Sequence, residues 1–287
     1  MPRLVETAPL TLLALIAFAS NSILTRVALG AGHIDAATFT TVRLVAGAVV
    51  LGLLVRVKAR SWAPLWRRGF AGPLALFGYA APFSFAYVRI GAATGALLLF
   101  GSVQLTMIGW GIASGERPTL RTWMGLAAAA AGLVWLTLPA VGRPDLGGSL
   151  LMVLAGCSWG IYSLVGRSAE DALATNARNF VWAVPLALSL NIFAASPAMV
   201  TARGICLGII SGGVTSGLGY AIWYRALRGL TATRAAILQL NVPVIAALGA
   251  VVVLQETVNT RLAISSVAVL GGLGLVLSDG ARRRRMP

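Results

Sequence analysis

Ten apolar stretches of about twenty residues constrain this chain more than any other feature. They run over 8–29, 36–55, 70–89, 92–114, 119–141, 146–167, 174–195, 204–227, 231–254 and 259–279, with short polar or Gly/Pro-containing breaks between them. An α-helix rises 1.5 Å per residue, so about 20 residues cross the ~30 Å hydrocarbon core of a bilayer. In that medium each backbone N–H and C=O must be bonded internally, which leaves helices and closed barrels. Barrel strands are runs of ~10 residues with alternating polarity; the stretches here are longer and apolar on most faces. Composition agrees. Hydrophobic residues make up 58% and charged residues 11%, against about 45–50% and about 25% in soluble domains, and the mean hydropathy is +0.85. An ordinary soluble globule and a disordered chain are both excluded. The expectation is an all-α integral membrane protein of ten transmembrane helices. Arg3 and the Ala17-Phe18-Ala19 triplet give the first stretch the outline of a signal peptide, but the apolar helix continues through Ser20, Asn21 and Ser22, and it is read as the first span.

The net charge of +15 raises the question of nucleic acid. The basic residues are scattered between apolar runs, with no soluble basic domain to form a groove. They read as loop charge facing anionic lipid, with no nucleic-acid partner. Placing the N-terminus inside puts seventeen of the 23 Lys and Arg residues on the cytoplasmic side, among them Arg56, Lys58, Arg60, Arg67, Arg68 and the run Arg282 to Arg285. Arg26, Arg43, Arg89, Arg143, Arg203 and Arg261 remain. The asymmetry predicts that both termini are cytoplasmic. Cys157 and Cys206 lie in apolar runs without a CxxC pattern and read as small packing residues.

The chain repeats itself. A shift of 141 brings Phe18, Asn21, Ser22 and Arg26 onto Trp159, Tyr162, Ser163 and Arg167. A shift of 140 brings Glu116, Arg121 and Gly132 onto Glu256, Arg261 and Gly272, and Ala86, Ala92 and Ala96 onto Ala226, Ala232 and Ala236. Residues 1–142 and 143–287 thus read as two copies of a five-span unit. Five is odd, so the second copy enters the membrane from the opposite side, and Glu116 and Glu256 fall on opposite faces. Two inverted repeats enclosing a central cavity near the midplane are a recurring transporter plan.

The segments GERPTLRTWMGLAAAAAGLVWL and QETVNTRLAISSVAVLGGLGLVL resemble the end of the EamA domain of the drug/metabolite transporter superfamily. SWGIYSLVGR resembles its first helix and LQLNVPVIAALGAVVVLQE its fourth, so the resemblance spans nearly the whole chain. LLLFGSVQLTMIGWGIASGERP further resembles the bacterial aromatic amino acid exporters. One departure stands out: the fourth-helix proline is present as Pro243 but replaced by Val103 in the first half, so the two helices need not bend alike. The resemblance implies ten helices, a bacterial inner-membrane exporter and a cavity lined mainly by stretches 1, 3, 4, 6, 8 and 9.

Enzyme patterns such as HExxH, GxSxG or a P-loop do not occur. The single histidine, His33, reads as a solvated loop residue, and no cofactor or metal site is expected. The acidic residues fall at stretch ends or in loops, so no mid-span carboxylate is available as a proton relay. Arg43 is the charged residue deepest in a stretch. Snorkelling to the outer interface or a bond to a helix carbonyl is the first expectation for it, and anchoring of a carboxylate the second. Uncharged polar and aromatic residues make the better site. Phe18, Asn21, Ser22 and Thr25 share one helical face, and Trp159, Tyr162 and Ser163 repeat it. Tyr79, Phe83 and Tyr87 form a second stripe, and Ser216, Tyr220, Trp223 and Tyr224 a third. Ser102, Gln104, Gln239 and Asn241 interrupt apolar runs. Half of such residues are accounted for by hydrogen bonds between helices, worth ~0.6 kcal/mol each. We expect Asn21, Tyr79, Gln104, Trp159, Tyr162, Tyr220, Gln239 and Asn241 to line one cavity. Amides, hydroxyls and aromatic rings suit a neutral or aromatic amino acid or a similar small metabolite. A multidrug or sugar/nucleotide-sugar carrier is the alternative within transport. A membrane-embedded enzyme or a non-transporting subunit is the alternative outside it. A monomer in the lipid bilayer is favoured. Gly125, Gly132, Gly271, Gly272 and Gly274 are read as contacts between stretches 5 and 10.

Overall fold

The computed structural model describes residues 2–66, 69–138, 145–193, 200–254 and 260–283. The chain runs through α1 (Pro2–Gly30), α2 (Ala36–Ala59), a 3-10 turn (Ala63–Trp66), α3 (Ala71–Tyr87), α4 (Ala92–Ala113), α5 (Leu120–Thr137), α6 (Leu146–Arg167) and α7 (Ala172–Phe193). It continues through α8 (Ala202–Ile210), a π-helical segment (Ser211–Leu218), α9 (Gly219–Leu227), α10 (Ala232–Gln239), α11 (Asn241–Leu254) and α12 (Thr260–Arg283). Among the described residues no strand forms; Ile34 and Val200 make one isolated bridge.

Helix is found over each of the ten stretches, but among the described residues only seven are long and apolar enough to cross a membrane by length and composition. The count falls short of ten for physical reasons. Helix α3 has 17 residues, and α7 carries Asn176, Arg178 and Asn179 in its first half. Large apolar side chains cover the outside of the bundle, as at Leu105 (80% exposed), Ile192 (79%) and Val57 (77%). Such a surface has no stable contact with water over this area and suits lipid.

The loop acids act as helix caps. Asp35, Asp145 and Asp171 accept from the backbone N–H groups of Thr38, Gly148 and Leu173/Ala174. Thr119, Thr201 and Thr231 cap α5, α8 and α10 in the same way. A side-chain oxygen there satisfies donors the first turn leaves open, and a carboxylate also meets the positive end of the helix dipole.

Small residues set the packing. Helix α5 lies on α12, α2 on α7, α3 on α6, and α1 on α9 and α11. A Cβ at Gly125 would stand 2.5 Å from the Gly272 carbonyl oxygen, and one at Gly272 would stand 2.4 Å from that of Gly125. Further along, Gly132 faces the Ser265 carbonyl. The contact partners run in opposite order, so α5 and α12 are antiparallel. Helices α2 and α7 are antiparallel too, with Lys58 paired to Asp171 at one end and Thr38 bonded to Asn191 at the other. Cys206 corrects the packing expectation, since it is exposed on α8, whereas Cys157 is half-buried.

Two stretches depart from plain α-helix. In the eighth, the π segment Ser-Gly-Gly-Val-Thr-Ser-Gly-Leu interrupts the span. A Cβ at Gly212 would lie 2.0 Å from the Arg43 carbonyl oxygen, so only glycine lets α2 approach this closely. In the ninth, the helix breaks at Leu240, while α4 runs unbroken through Val103. Pro243 has no N–H for the Gln239 carbonyl, four residues back. The Asn241 side chain bonds the Leu238 carbonyl at 2.8 Å within the break.

Candidate functional site

The polar and aromatic stripes of α1, α3, α6 and α9 converge at the centre of the bundle. Phe18, Tyr79, Trp159 and Tyr220 pack ring against ring, with centroids 4.7–5.2 Å apart for Trp159 against Tyr220, Tyr79 and Phe18. Aromatic pairs in such tilted and edge-on contacts contribute roughly 0.5–1.5 kcal/mol each beyond area burial. The rings enclose a cavity of about 30 Å³ for a water-sized sphere, lined by Phe18, Asn21, Ser22, Tyr79, Phe83, Leu99, Phe100, Trp159, Tyr220, Gln239 and Val242. That volume is room for about two waters, against about 300–1,000 Å³ for an ordinary ligand pocket.

Five of the eight residues singled out in the sequence meet at this cavity: Asn21, Tyr79, Trp159, Tyr220 and Gln239. The other three do not line it. Tyr162 stacks behind Trp159 at 5.6 Å and donates to Asn176, which in turn bonds the Gly217 carbonyl. Gln104 bonds the Ala236 carbonyl at 2.7 Å, tying α4 to α10. Asn241 is occupied at the helix break. Periodicity had no means of separating these three from the lining, because inward-facing and cavity-facing are the same pattern on a helix.

Arg43 overturns its first expectation. It does not snorkel: it is 1% exposed, one of the most deeply buried side chains of the molecule. Its Nε donates to Ser216 Oγ at 2.9 Å, and its Nη2 to the phenol oxygens of Tyr220 at 2.5 Å and Tyr79 at 3.5 Å. The guanidinium carbon lies 5.3 Å from the centre of the Tyr79 ring. Nη1 has no partner. The close approach of α2 to the π segment, permitted by Gly212, delivers the guanidinium to this point. Asn21 is tied into the same group, its Oδ1 accepting from Ser211 at 2.7 Å and from Thr215 and Ser216 at 3.4 Å. Across the cavity, Trp159 Nε1 donates to Gln239 Oε1 at 2.5 Å, and Gln239 Nε2 donates onward to the Ala235 carbonyl and to Met107 Sδ.

A second polar group lies at one end of the bundle. Glu116, in the loop after α4, accepts from the backbone N–H groups of Ala232 (2.7 Å) and Thr233 (3.0 Å) at the start of α10, with Arg167 at 3.7 Å. Burial pushes its carboxyl up, but the bonds from Thr233 and Ala232 and the Arg167 charge outweigh this and hold it below the ordinary carboxylate value. The residue joins the first half of the chain to the second. Glu256, which the shift of 140 sets against it, lies outside the described residues, as do Arg143, Arg284 and Arg285.

Comparison with known proteins agrees with the helical bundle. A model of the EamA-like transporter family matches residues 146–278. An uncharacterized protein of Pseudomonas aeruginosa is 46% identical over 273 residues, covering 95% of each chain. An uncharacterized transporter of Archaeoglobus fulgidus is 25% identical, over 78% of this chain and 84% of that one. An uncharacterized transporter of Bacillus subtilis is also 25% identical, over 86% of each. A crystal structure with 17% identity superposes at a TM-score of 0.81 over 95% of this chain and 97% of that chain, a likeness of fold.

Proposed function

The chain belongs to the EamA-like transporter family, and from that premise we propose that it exports neutral, chiefly aromatic or apolar amino acids, or similar small metabolites, by alternating access across a bacterial inner membrane. In this reading ten helices form two inverted halves, 1–142 and 143–287, with both termini in the cytoplasm. They rock about the central cavity so that it opens to one side at a time.

The observation that carries the reading is the pairing of repeat-related residues around the cavity. The shift of 141 relates Phe18 to Trp159 and Tyr79 to Tyr220, and both pairs are in ring contact there. The same relation reaches the helix contacts. Gly78 faces Ser158, and their counterparts Gly219 and Ala17 face each other. Under the shift of 140, the Gly125–Gly272 contact exchanges with that of Gly132 and Ser265. Antiparallel packing of α2 on α7 and of α5 on α12 is what an axis in the membrane plane requires of symmetry-related helices. These relations support inverted halves with the site on their axis.

Aromatic walls with a few polar groups favour a small, partly apolar solute. A phosphorylated sugar carrier calls for several buried cations. The single lysine, Lys58, is instead paired with Asp171 at an exposed helix end. The test is flux of labelled L-phenylalanine, L-leucine, L-threonine and glucose 6-phosphate with purified protein in liposomes. Saturable flux of the amino acids is expected. Flux of the sugar phosphate alone would overturn the assignment.

A further inference from the structure

We infer that the group recognised at the central cavity is a carboxylate, received by a donor set that Arg43 polarises, so that the solute class is small organic acids with an apolar or aromatic body, amino acids among them. The inference rests on the transport reading above and specifies what its site reads.

An inventory of hydrogen-bonding capacity leads there. The guanidinium is buried among hydroxyls, and among the described residues no carboxylate forms an ion pair with it. Asp35, Glu116, Asp145 and Asp171 are all engaged at helix starts. The site therefore carries an uncompensated positive charge. Arg43 can only donate. It donates to the phenol oxygens of both Tyr79 and Tyr220, which turns their O–H protons away from it; the two phenols also bond each other, which leaves one of those protons free, and among the described residues no carbonyl or carboxylate accepts it. Ser216 likewise receives from Arg43 and passes its own proton on, with Asn21 Oδ1 and the Tyr220 oxygen both in reach. With its oxygen held by three hydroxyls, Asn21 is left with its amide N–H groups, and Asn21 lines the cavity. The acceptor on the far wall, Gln239 Oε1, is taken by Trp159, and its amide nitrogen is bonded as well. What faces a solute is chiefly donors, one O–H of the tyrosine pair and the N–H of Asn21, beside a buried cation, with the Ser22 oxygen, whose proton is on the Phe18 carbonyl, as the one hydroxyl acceptor. An anionic, acceptor-only group matches that set. An ammonium finds no carboxylate there, only ring faces and the neutral Ser22 oxygen.

The test measures binding to the full-length protein in lipid nanodiscs by calorimetric titration of four probes with one aromatic body: L-phenylalanine, 3-phenylpropionate, phenethylamine and L-phenylalaninamide. The two acids should bind, and the amine and the amide about ten-fold or more weaker, as expected for loss of hydrogen bonds to a charged group. Tyr220→Phe, which keeps the ring, and Arg43→Gln should each reduce that discrimination; Arg43→Lys should retain part of it, and serves if Arg43→Gln does not fold. Amine binding equal to acid binding would overturn the inference, and so would discrimination left unchanged in both Tyr220→Phe and Arg43→Gln. Flux of L-phenylalanine in liposomes is scored separately. Flux without acid selectivity would leave the transport reading standing and remove this one; absence of both binding and flux for every probe would remove both.

Discussion

Trp159 holds the cavity from two directions at once, its ring against Phe18, Tyr79 and Tyr220 and its N–H on Gln239. Truncation to alanine in a packed core costs about 3–5 kcal/mol and would confuse folding with function. Trp159→Phe is the cleaner change. It keeps a ring and leaves Gln239 Oε1 without its donor. We expect solute flux to drop several-fold while the yield of folded protein, judged by size-exclusion chromatography, stays near that of the parent. Flux equal to the parent would reduce Trp159 to a packing residue. Residue types were legible in the sequence at this scale, because polar side chains in hydrocarbon need partners and helical spacing shows which share a face. Their division of labour was not. Tyr162 and Tyr220 each sit on an inward-facing stripe, yet the first is spent on Asn176 and the second meets the cavity. Arg43 was misread for the same reason: snorkelling is the usual escape for a cation in an apolar run, and nothing in the neighbouring residues of α2 announces three hydroxyls arriving from α3, the π segment and α9.

Helix starts were the most legible feature of the elements, since Asp35, Asp145 and Asp171 sit at the first turn where a cap oxygen is needed. The π segment was not, because it follows from how closely α2 presses on Gly212. The break at Leu240 was half legible: Pro243 marked it, but its position two residues beyond the Asn241 start of α11 depends on how the freed carbonyls are met. Two predictions belong here. Gly272→Leu places side-chain atoms where the Gly125 carbonyl stands, 2.4 Å from the new Cβ. Overpacking of this kind costs about 1–3 kcal/mol. The melting midpoint in detergent should fall by several degrees, whereas Gly274→Leu, with open space at its Cβ, should be mild. The second concerns Glu116. Its carboxyl is held below the ordinary value of 4.5, so the folded state favours the charged form. The resulting stabilisation is full above pH 4.5 and is lost as pH falls through the lower folded-state value. Glu116→Gln should therefore melt lower than the parent at pH 7, and the gap should narrow as the pH is taken below 4. A constant gap across that range would mean the charge has no part in tying the α4–α5 loop to α10.

Across the whole molecule, the alternation of apolar runs with loops was visible from spacing alone, and the proposed repeat is read from the same spacing. Orientation rests on charge asymmetry, and it is checked directly: reporter fusions after Arg68 and after Arg285 should both report the cytoplasm, and an outside signal at either would reverse the proposed topology. Energy coupling is argued from the same distribution. Of the acids with described side chains, Asp35, Asp145 and Asp171 cap helices, Glu116 joins a loop to α10 and Glu170 is exposed, and none stands beside the cavity to take up a proton during transport. We expect a facilitator. In liposomes at equal pH on both sides, counterflow should be robust, and collapsing an imposed proton gradient should leave its rate unchanged. Uphill accumulation driven by a proton gradient alone would contradict this.

The smallness of the cavity bears on the timing of the cycle. With room for about two waters, the cavity is one whose rings by themselves take up most of the seat that a passenger would need. If the rings can close that seat without a passenger, the carrier makes its homeward journey unladen, with no need to wait for a second molecule to ride back. Efflux from loaded liposomes into solute-free buffer should then keep pace with one-for-one exchange. A strict antiporter would stall there, whereas a cell using this protein could discharge a surplus into surroundings that hold none of it.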